Sequence, residues 1–547
     1  MILHEKKWTI KELVRSFFPL RLLIAHVKYN LFALLFWVVL FMIVNDSLGY
    51  AFGVPLLFLS PENSGSVSPV SFFLLGFAFG GFIMAFNTYS YIKLGPKFPF
   101  MTTLAKPFFK FCLNNGIIPA VFILFFIYKS AIFQMNEEFA SGWDIVKYHA
   151  TLLVGIFSFF ILSFFYFFPV TRRRERSKDA HNSEPIVSMT HREEEWFDHY
   201  AKIKDFKYLY FGKGLRLQMS RSISHLKRET IERTFAKNRI NASVFEVITI
   251  SAFFLIGLLN GYDFMDVPAA MSIVLLMTII LMLFSALKSW FRNWAYPILI
   301  LIIFGMDFLS SKVDVFNYKN YAYGLSYEKE DLATYNVNRL EEISNNDTLN
   351  ETTLASYIRT LENWKAQTGE DKPKLVIVNT SGGGSRSALW TLTVLQQCDK
   401  KLDGKLNNHI QLMTGASGGM IGAAYFREIL LRYRKGEIPS IYADKYCENM
   451  SKDMLNKLAF MATTNDIFIR YQTCTFNGRK YPKDRGYAFE EQLHENTENI
   501  MDHTLGYYTK FEKDATVPTL IFTPTIINDG RRLFISSQRL NFLTAHH

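Results

Sequence analysis

"VIVNTSGGGSRSALW" (Val376–Trp390) decides the fold of the second half of this chain. A run of β-branched residues stops at three consecutive glycines, and an apolar pattern with helical spacing follows Arg386. That order predicts a strand, a glycine turn and a helix. The same order returns in "HIQLMTGASGGMIGAAYFREILLRY" (His409–Tyr433). Short apolar strands alternating with helices predict a mainly parallel sheet covered on both faces. Thr519–Asn528 reads as a later strand, and "DGRRLFISS" (Asp529–Ser537) as a turn and another strand. Upstream, "LASYIRTLENWKAQ" (Leu354–Gln367) has helical spacing, and "EEISNNDTLNETT" (Glu341–Thr353) reads as a polar linker or surface loop.

Something must face the bare backbone of the first turn. A P-loop needs a lysine and a Ser/Thr magnesium ligand at fixed spacing, and neither is placed here. A dinucleotide fingerprint is met at Gly382 and Gly384 but has Ser387 at its last glycine position. Its acidic partner would be Asp399 or Asp403, in a polar segment ill suited to a strand end. The remaining reading is an oxyanion hole, in which backbone N–H groups meet the charge that develops on a reacting carbonyl.

The second turn gives that charge a source. "GASGG" fits G-x-S-x-G, with Ser417 between strand and helix, the context a nucleophile elbow requires. Gly415 and Gly419 let strand and helix pass without β-carbon clashes, and the N–H of Gly418 adds an oxyanion donor. The helix N-terminus favours developing negative charge. A serine hydroxyl also needs a base, such as a carboxylate within about 3 Å. A histidine base would come from His494, His503, His546 or His547, none in a supporting context.

"SGGGSR" after one strand, followed by "GASGG" at a second strand–helix turn, resembles the patatin-like phospholipase family from about Lys374 to the C-terminus. The resemblance implies a three-layer α/β/α sandwich that hydrolyses lipid esters with a Ser–Asp dyad, without metal or cofactor. It implies Ser417 as nucleophile and Gly382, Gly383 and Gly384 as the oxyanion loop, with Arg386 as the family's arginine after the glycines. Ser387 stands where the family often has glycine. The dyad aspartate is either Asp529, in the one late Asp-Gly pair, or a residue beyond His547, with the domain truncated.

Before residue 310 the chain is a different material. The whole is 49% hydrophobic with 52 Phe, and the apolar residues concentrate in this half. Seven blocks have the length a bilayer demands of a helix: Tyr29–Val44, Val70–Tyr91, Ile117–Ile132, Ala150–Val170, Val244–Leu259, Val267–Leu287 and Trp294–Leu309. The expected organisation is an all-α transmembrane region over 1–310 with a basic loop at 171–242, a linker and helical lead-in over 311–372, and the hydrolase domain over 373–547. The basic, amphipathic start, "MILHEKKWTIKELVRSFFPLRLL", reads either as an interfacial helix or as a short lead-in to the first span.

The net charge of +11 is expected to orient loops rather than bind nucleic acid. Lys and Arg alternate by loop: Asp46–Pro69 and Asn260–Asp266 have none, whereas Lys93, Lys97, Lys106 and Lys110 cluster, and "TRRRERSK" opens the long loop. Seven crossings from an inside N-terminus would put the chain past Ser310 outside, which in a bacterium is the periplasm. The four cysteines, Cys112, Cys398, Cys447 and Cys474, lack metal-ligand spacing and read as free thiols. The expected function is a membrane-anchored lipid acyl hydrolase acting on a bilayer lipid. The rivals are an inactive scaffold with a hydrolase-like domain and a transporter or receptor with a regulatory one.

Overall fold

The structure is a computed structural model describing residues 12, 15–63, 65–178, 206–223, 267–291, 294–312, 326–330, 332–466, 472–527 and 529–544, with single positions between 226 and 251. It divides into two compact units. One comprises Met1–Lys319, Leu455–Thr473 and Lys483–Arg485; the other comprises Asn320–Met454, Cys474–Pro482 and Gly486–His547.

The first unit is helical: α1 (Phe18–Tyr29), α2 (Leu31–Val44), α3 (Pro69–Leu94), α4 (Ile117–Asn136), α5 (Gly142–Lys178), α6 (Ala269–Phe291) and α7 (Ala295–Lys312). Four described helices, in α3, α4, α5 and α6, are long and apolar enough to cross a membrane, or five if α1 and α2 count as one broken span. Many outward side chains are apolar, including Leu124, Phe157, Leu301 and Phe304, as hydrocarbon surroundings permit.

The expected spans need revision. The expected span Tyr29–Val44 holds a helix of only 14 residues, α2, which reaches span length only together with α1, from which it is turned by 99°. A helix at about a right angle to its neighbour fits the interfacial reading of the N-terminal stretch. The apolar part of α7, Ala295–Leu309, is shorter than a span. Val244–Leu259 falls mostly outside the described residues. The stretch "TRRRERSK" continues helix α5 to Lys178 rather than opening a loop.

A buried polar chain holds the bend at Asn30. Asn30 Nδ2 donates to His26 Nδ1 at 2.9 Å and to Ser90 Oγ at 3.2 Å. His26 Nε2 then donates to Asn115 Oδ1 at 2.7 Å, and Asn115 Nδ2 to Asn87 Oδ1 at 3.0 Å. This order assigns the neutral Nε2–H tautomer to His26. Such groups must find partners among themselves in an apolar bundle.

Glycine sets the close contact between α3 and α5. A β-carbon on Gly76 of α3 would lie 2.1 Å from the Leu152 carbonyl oxygen of α5, and one on Gly155 would lie 2.2 Å from that of Phe73. The backbones meet because neither position has a side chain, the small-residue packing of apolar helices. At the N-terminal end of α6, Asn456 Oδ1 accepts the Ala269 N–H at 2.8 Å, and Asn456 Nδ2 donates to the Glu62 carbonyl at 3.0 Å. Leu455–Thr473 therefore belongs to this unit, although the sequence places it within the hydrolase range.

The second unit contains α8 (Asp347–Thr368), β1 (Val376–Thr380), α9 (Gly384–Lys401), β2 (Ile410–Gly415), α10 (Ser417–Arg434), α11 (Leu505–Lys513), β3 (Thr519–Phe522) and β4 (Ile535–Ser536). The sheet order is β4-β3-β2-β1; β1, β2 and β3 are parallel, and β4 is antiparallel at one edge. Val376 and Val378 pack on the core formed with α9 and α10. Alternation turns Ile377 the other way, where it is 49% exposed, as is Leu375 at 53%. Full cover on both faces is thus not observed at this edge.

The expected linker at Glu341–Thr353 is mostly helical. Asn346 caps α8 by accepting the Leu349 N–H at 2.9 Å, so its polar residues serve as a cap. Helix α8 is tied into the unit: Thr353 Oγ1 donates to Asn541 Oδ1 at 2.9 Å, and Asn363 Nδ2 to the Lys513 carbonyl at 2.8 Å. A buried ion pair joins α10 to α11. Arg427 Nη1 donates to Glu512 Oε1 at 2.5 Å, with side chains 3% and 1% exposed. Burial pushes the Glu512 carboxyl up, against the opposing pull of Arg427.

Two substitutions test this packing. Gly155→Leu forces a side chain into the Phe73 carbonyl and should abolish the folded, monodisperse protein in size-exclusion chromatography; an unchanged profile refutes the contact. Arg427→Met leaves a buried carboxylate unpaired and should cost about 3–5 kcal/mol, read as a lowered melting midpoint of the second unit.

Candidate functional site

Both glycine turns leave the C-terminal ends of adjacent parallel strands. The register aligns Thr380 of β1 with Gly415 of β2, and Gly415 with Phe522 of β3. The ends of parallel strands form the crevice in which open α/β sheets place their ligands. Thr523 fixes the level of the second turn: its N–H and its Oγ1 donate to the Gly415 carbonyl at 2.9 and 2.8 Å.

Ser417 sits where a nucleophile elbow would hold it. The chain leaves β2, passes Ala416 in extended conformation (φ −140°, ψ 161°), and enters α10 at Ser417 with φ +56°. A left-handed backbone at a non-glycine residue is strained and persists only where its surroundings enforce it. Here the neighbours are glycines. A β-carbon on Gly418 would meet the Gly384 carbonyl oxygen at 1.8 Å, and one on Gly419 would meet that of Ser381 at 2.4 Å. The start of α10 is therefore pressed against the first turn, backbone to backbone.

That contact brings the two motifs together. A β-carbon on Gly382 would lie 3.3 Å from Ser417 Cβ and 3.8 Å from its Oγ. Ser417, Gly382, Gly383 and Gly384 are exposed, whereas Gly418 and Gly419 are buried. Helix α9 begins at Gly384 and α10 at Ser417, so two helix N-termini with unsatisfied N–H groups and positive dipole ends converge on one hydroxyl. Arg386 stands exposed in the first turn of α9.

Ser387 has a role that its residue type does not announce. Its Oγ donates to the Ser381 carbonyl at 2.7 Å, bridging the glycine loop from within. Gly422 also escaped the sequence reading. A β-carbon there would lie 2.1 Å from the Ala388 carbonyl oxygen, so it continues the α9–α10 contact one turn on. The Gly418-x-x-x-Gly422 spacing is a readable sign of such packing.

The structure does not bring Asp529 to Ser417. Asp529 lies on the hairpin between β3 and β4, whose turn closes where the Gly530 N–H donates to the Ile526 carbonyl at 2.8 Å. Its Oδ2 accepts Arg531 Nε at 2.8 Å and Nη2 at 2.5 Å, and its Oδ1 accepts the Arg531 N–H at 3.0 Å. The guanidinium holds this exposed carboxyl below its ordinary range, which makes it a poorer base. Among the described residues, Ser417 Oγ has no carboxylate partner. The histidines are engaged elsewhere: His494 faces Asp502 at 3.9 Å, and His503 faces Glu428 at 3.8 Å. His546 and His547 lie outside the described residues.

All four cysteines are free, and Cys447 Sγ donates to Gln396 Oε1 at 3.2 Å. Among the described residues, no three His, Cys, Asp or Glu side chains are grouped to hold a metal ion. Compared with known protein families, curated proteins and solved structures, the chain matches none.

The strained turn makes a testable trade. Ser417→Gly relieves the left-handed conformation and should stabilise the second unit by about 0.5–1 kcal/mol, measured by chemical denaturation. Gly418→Ala should instead destabilise it by at least about 2 kcal/mol, because the new methyl meets backbone. Equal effects from the two substitutions would contradict the geometry.

Proposed function

We propose that the chain is a membrane-anchored lipid acyl hydrolase with Ser417 as nucleophile. The carrying observation is Ser417 at φ +56° on a strand–helix turn, in contact with the glycine loop of a neighbouring strand. Ser417 Oγ would attack the carbonyl carbon of a lipid ester, and its proton would pass to the dyad aspartate that the resemblance to patatin-like phospholipases implies. The N–H groups of the Gly382–Gly384 loop and of Gly418 would hold the oxyanion. Collapse would release the alcohol and leave the acyl group on Ser417, and water would then free the fatty acid. The resemblance to patatin-like phospholipases supports the substrate class, as does the apolar helical unit that would keep the site at high effective concentration near bilayer lipid.

A second reading, an inactive scaffold with a hydrolase-like unit, is favoured by the absence of a described carboxylate at Ser417. A fluorophosphonate probe on the purified full chain separates the two. The enzyme reading expects one adduct, lost in Ser417→Ala. Gly383→Ala, which would set a methyl 3.0 Å from Ser387 Cβ, should slow labelling by about 100-fold. Asp529→Asn should retain labelling within about twofold, since Arg531 occupies that carboxylate. Absence of labelling in the wild-type chain supports the scaffold.

We also propose that Leu455–Thr473 faces the outer side. Asn456 binds Glu62 and Ala269, at the end of the bundle where the loops Asp46–Pro69 and Asn260–Asp266 carry no Lys or Arg. A cysteine placed at Lys457 should react with a membrane-impermeant maleimide added outside intact cells; reaction only after lysis would reverse the orientation.

A further inference from the structure

Two exposed apolar side chains flank the Ser417 turn, and the acyl-transfer chemistry uses neither. Trp390 lies in the second turn of α9 and is 70% exposed. Ile527 lies on the hairpin between β3 and β4 and is 95% exposed. Side chains this apolar and this open to water contribute little to the unit's own core. Topology sets them on opposite sides of the serine. In the sheet, β2 lies between β1 and β3. Ser417 follows β2, α9 follows the glycine loop that leaves β1, and the hairpin leaves β3. The three strands are parallel, so all three exits share one end of the sheet. Thr523, where the hairpin begins, donates to the Gly415 carbonyl beside the elbow. Farther out, the Ile526 N–H donates to the Arg531 carbonyl at 2.8 Å, which leaves Ile527 at the tip.

The chemistry of this rim suits a phospholipid surface. No Asp or Glu occurs from Gly382 to Cys398 or from Gly415 to Arg427, so neither helix start brings a carboxylate that phosphate headgroups would repel. On the hairpin, the one carboxylate, Asp529, is held by Arg531. Arg386 precedes Trp390 by four residues, which puts both on one face of α9. A tryptophan beside an arginine is a pairing found where protein meets the headgroup layer, with the ring among the upper acyl chains. The bilayer is also the surface at hand. The chain passes between the apolar helical unit and the second unit at Lys319–Asn320 and again at Met454–Leu455. The second unit is thus held covalently to helices of membrane-spanning length, which raises the local concentration of lipid around it.

We propose that Trp390 and Ile527 insert into the surface of the phospholipid bilayer and seat the Ser417 turn on it. The choice of partner rests on the lipid-hydrolase reading, whereas the contact itself is measured without turnover. Seated this way, an ester drawn up from the bilayer meets Ser417 between the two apolar supports and need not cross water.

The test is fluorescence quenching in the full chain reconstituted into vesicles of phosphatidylcholine and phosphatidylglycerol, with or without bromine on the acyl chains. The chain has 8 Trp, so the Trp390 signal is the difference between the wild type and Trp390→Phe. Brominated lipid should quench that difference by at least about twofold. In the Trp390→Phe background, Ile527→Trp should add emission quenched to a similar degree. Gln397→Trp, exposed about two turns along α9 from the glycine loop, should add emission that brominated lipid leaves unchanged. Emission from position 390 or 527 that brominated lipid does not quench, or equal quenching at 397, would overturn the proposal. Quenching at 390 and 527 in a chain that takes no fluorophosphonate supports the seating and counts against the hydrolase reading alone.

Discussion

The candidate site depends on one close approach, the Gly384 carbonyl lying against the α-carbon of Gly418. No residue with a side chain can stand at position 418 without moving backbone. Once α10 is pressed there, Ser417 has no room to relax, and its left-handed conformation follows from the packing around it. The same approach sets the Gly382 loop beside the serine hydroxyl and aims two helix N-termini at one point. The glycines thus do two jobs: they permit the contact, and they leave N–H groups uncovered for a ligand.

The helical unit solves a different problem by related means. In an apolar bundle, hydrophobic burial discriminates poorly between one helix arrangement and another, so close backbone contact and polar partners decide. Gly76 and Gly155 supply the contact between α3 and α5. The chain Asn30–His26–Asn115–Asn87 supplies the partners, and it fixes a bend where a simple span would otherwise run on. The outward flanks of the helices remain apolar. The connecting loops Asp46–Pro69 and Asn260–Asp266 carry no cationic residues, whereas Lys93, Lys97, Lys106 and Lys110 cluster at and past the other end of α3.

Features set by neighbouring residues were legible in the sequence. The two strand–glycine–helix turns were readable because strand periodicity, glycine runs and helix periodicity are all short-range patterns. The long apolar blocks of α3, α4, α5 and α6 were readable because length alone distinguishes them. Features that depend on a distant partner were not. The bend at Asn30 rests on partners 60 and 89 residues away, Asn30 with Ser90 and His26 with Asn115, and no local pattern marks it. The polar run before α8 looked like a linker because a capping asparagine and a loop asparagine are the same letter. Asp529 looked available as a base because its clamp, Arg531, could as well have pointed away. The exposure of Ile377 follows from the edge position of β1, which depends on strand order rather than on β1 itself.

Hydrolysis of bilayer phospholipid by the purified full chain, followed by mass spectrometry of the Ser417 peptide during turnover, tests the central claim most directly. The account predicts released fatty acid and a transient acyl group on Ser417, both absent in Ser417→Ala. Fatty acid release that persists in Ser417→Ala, or an acyl group carried by a different residue, would contradict it.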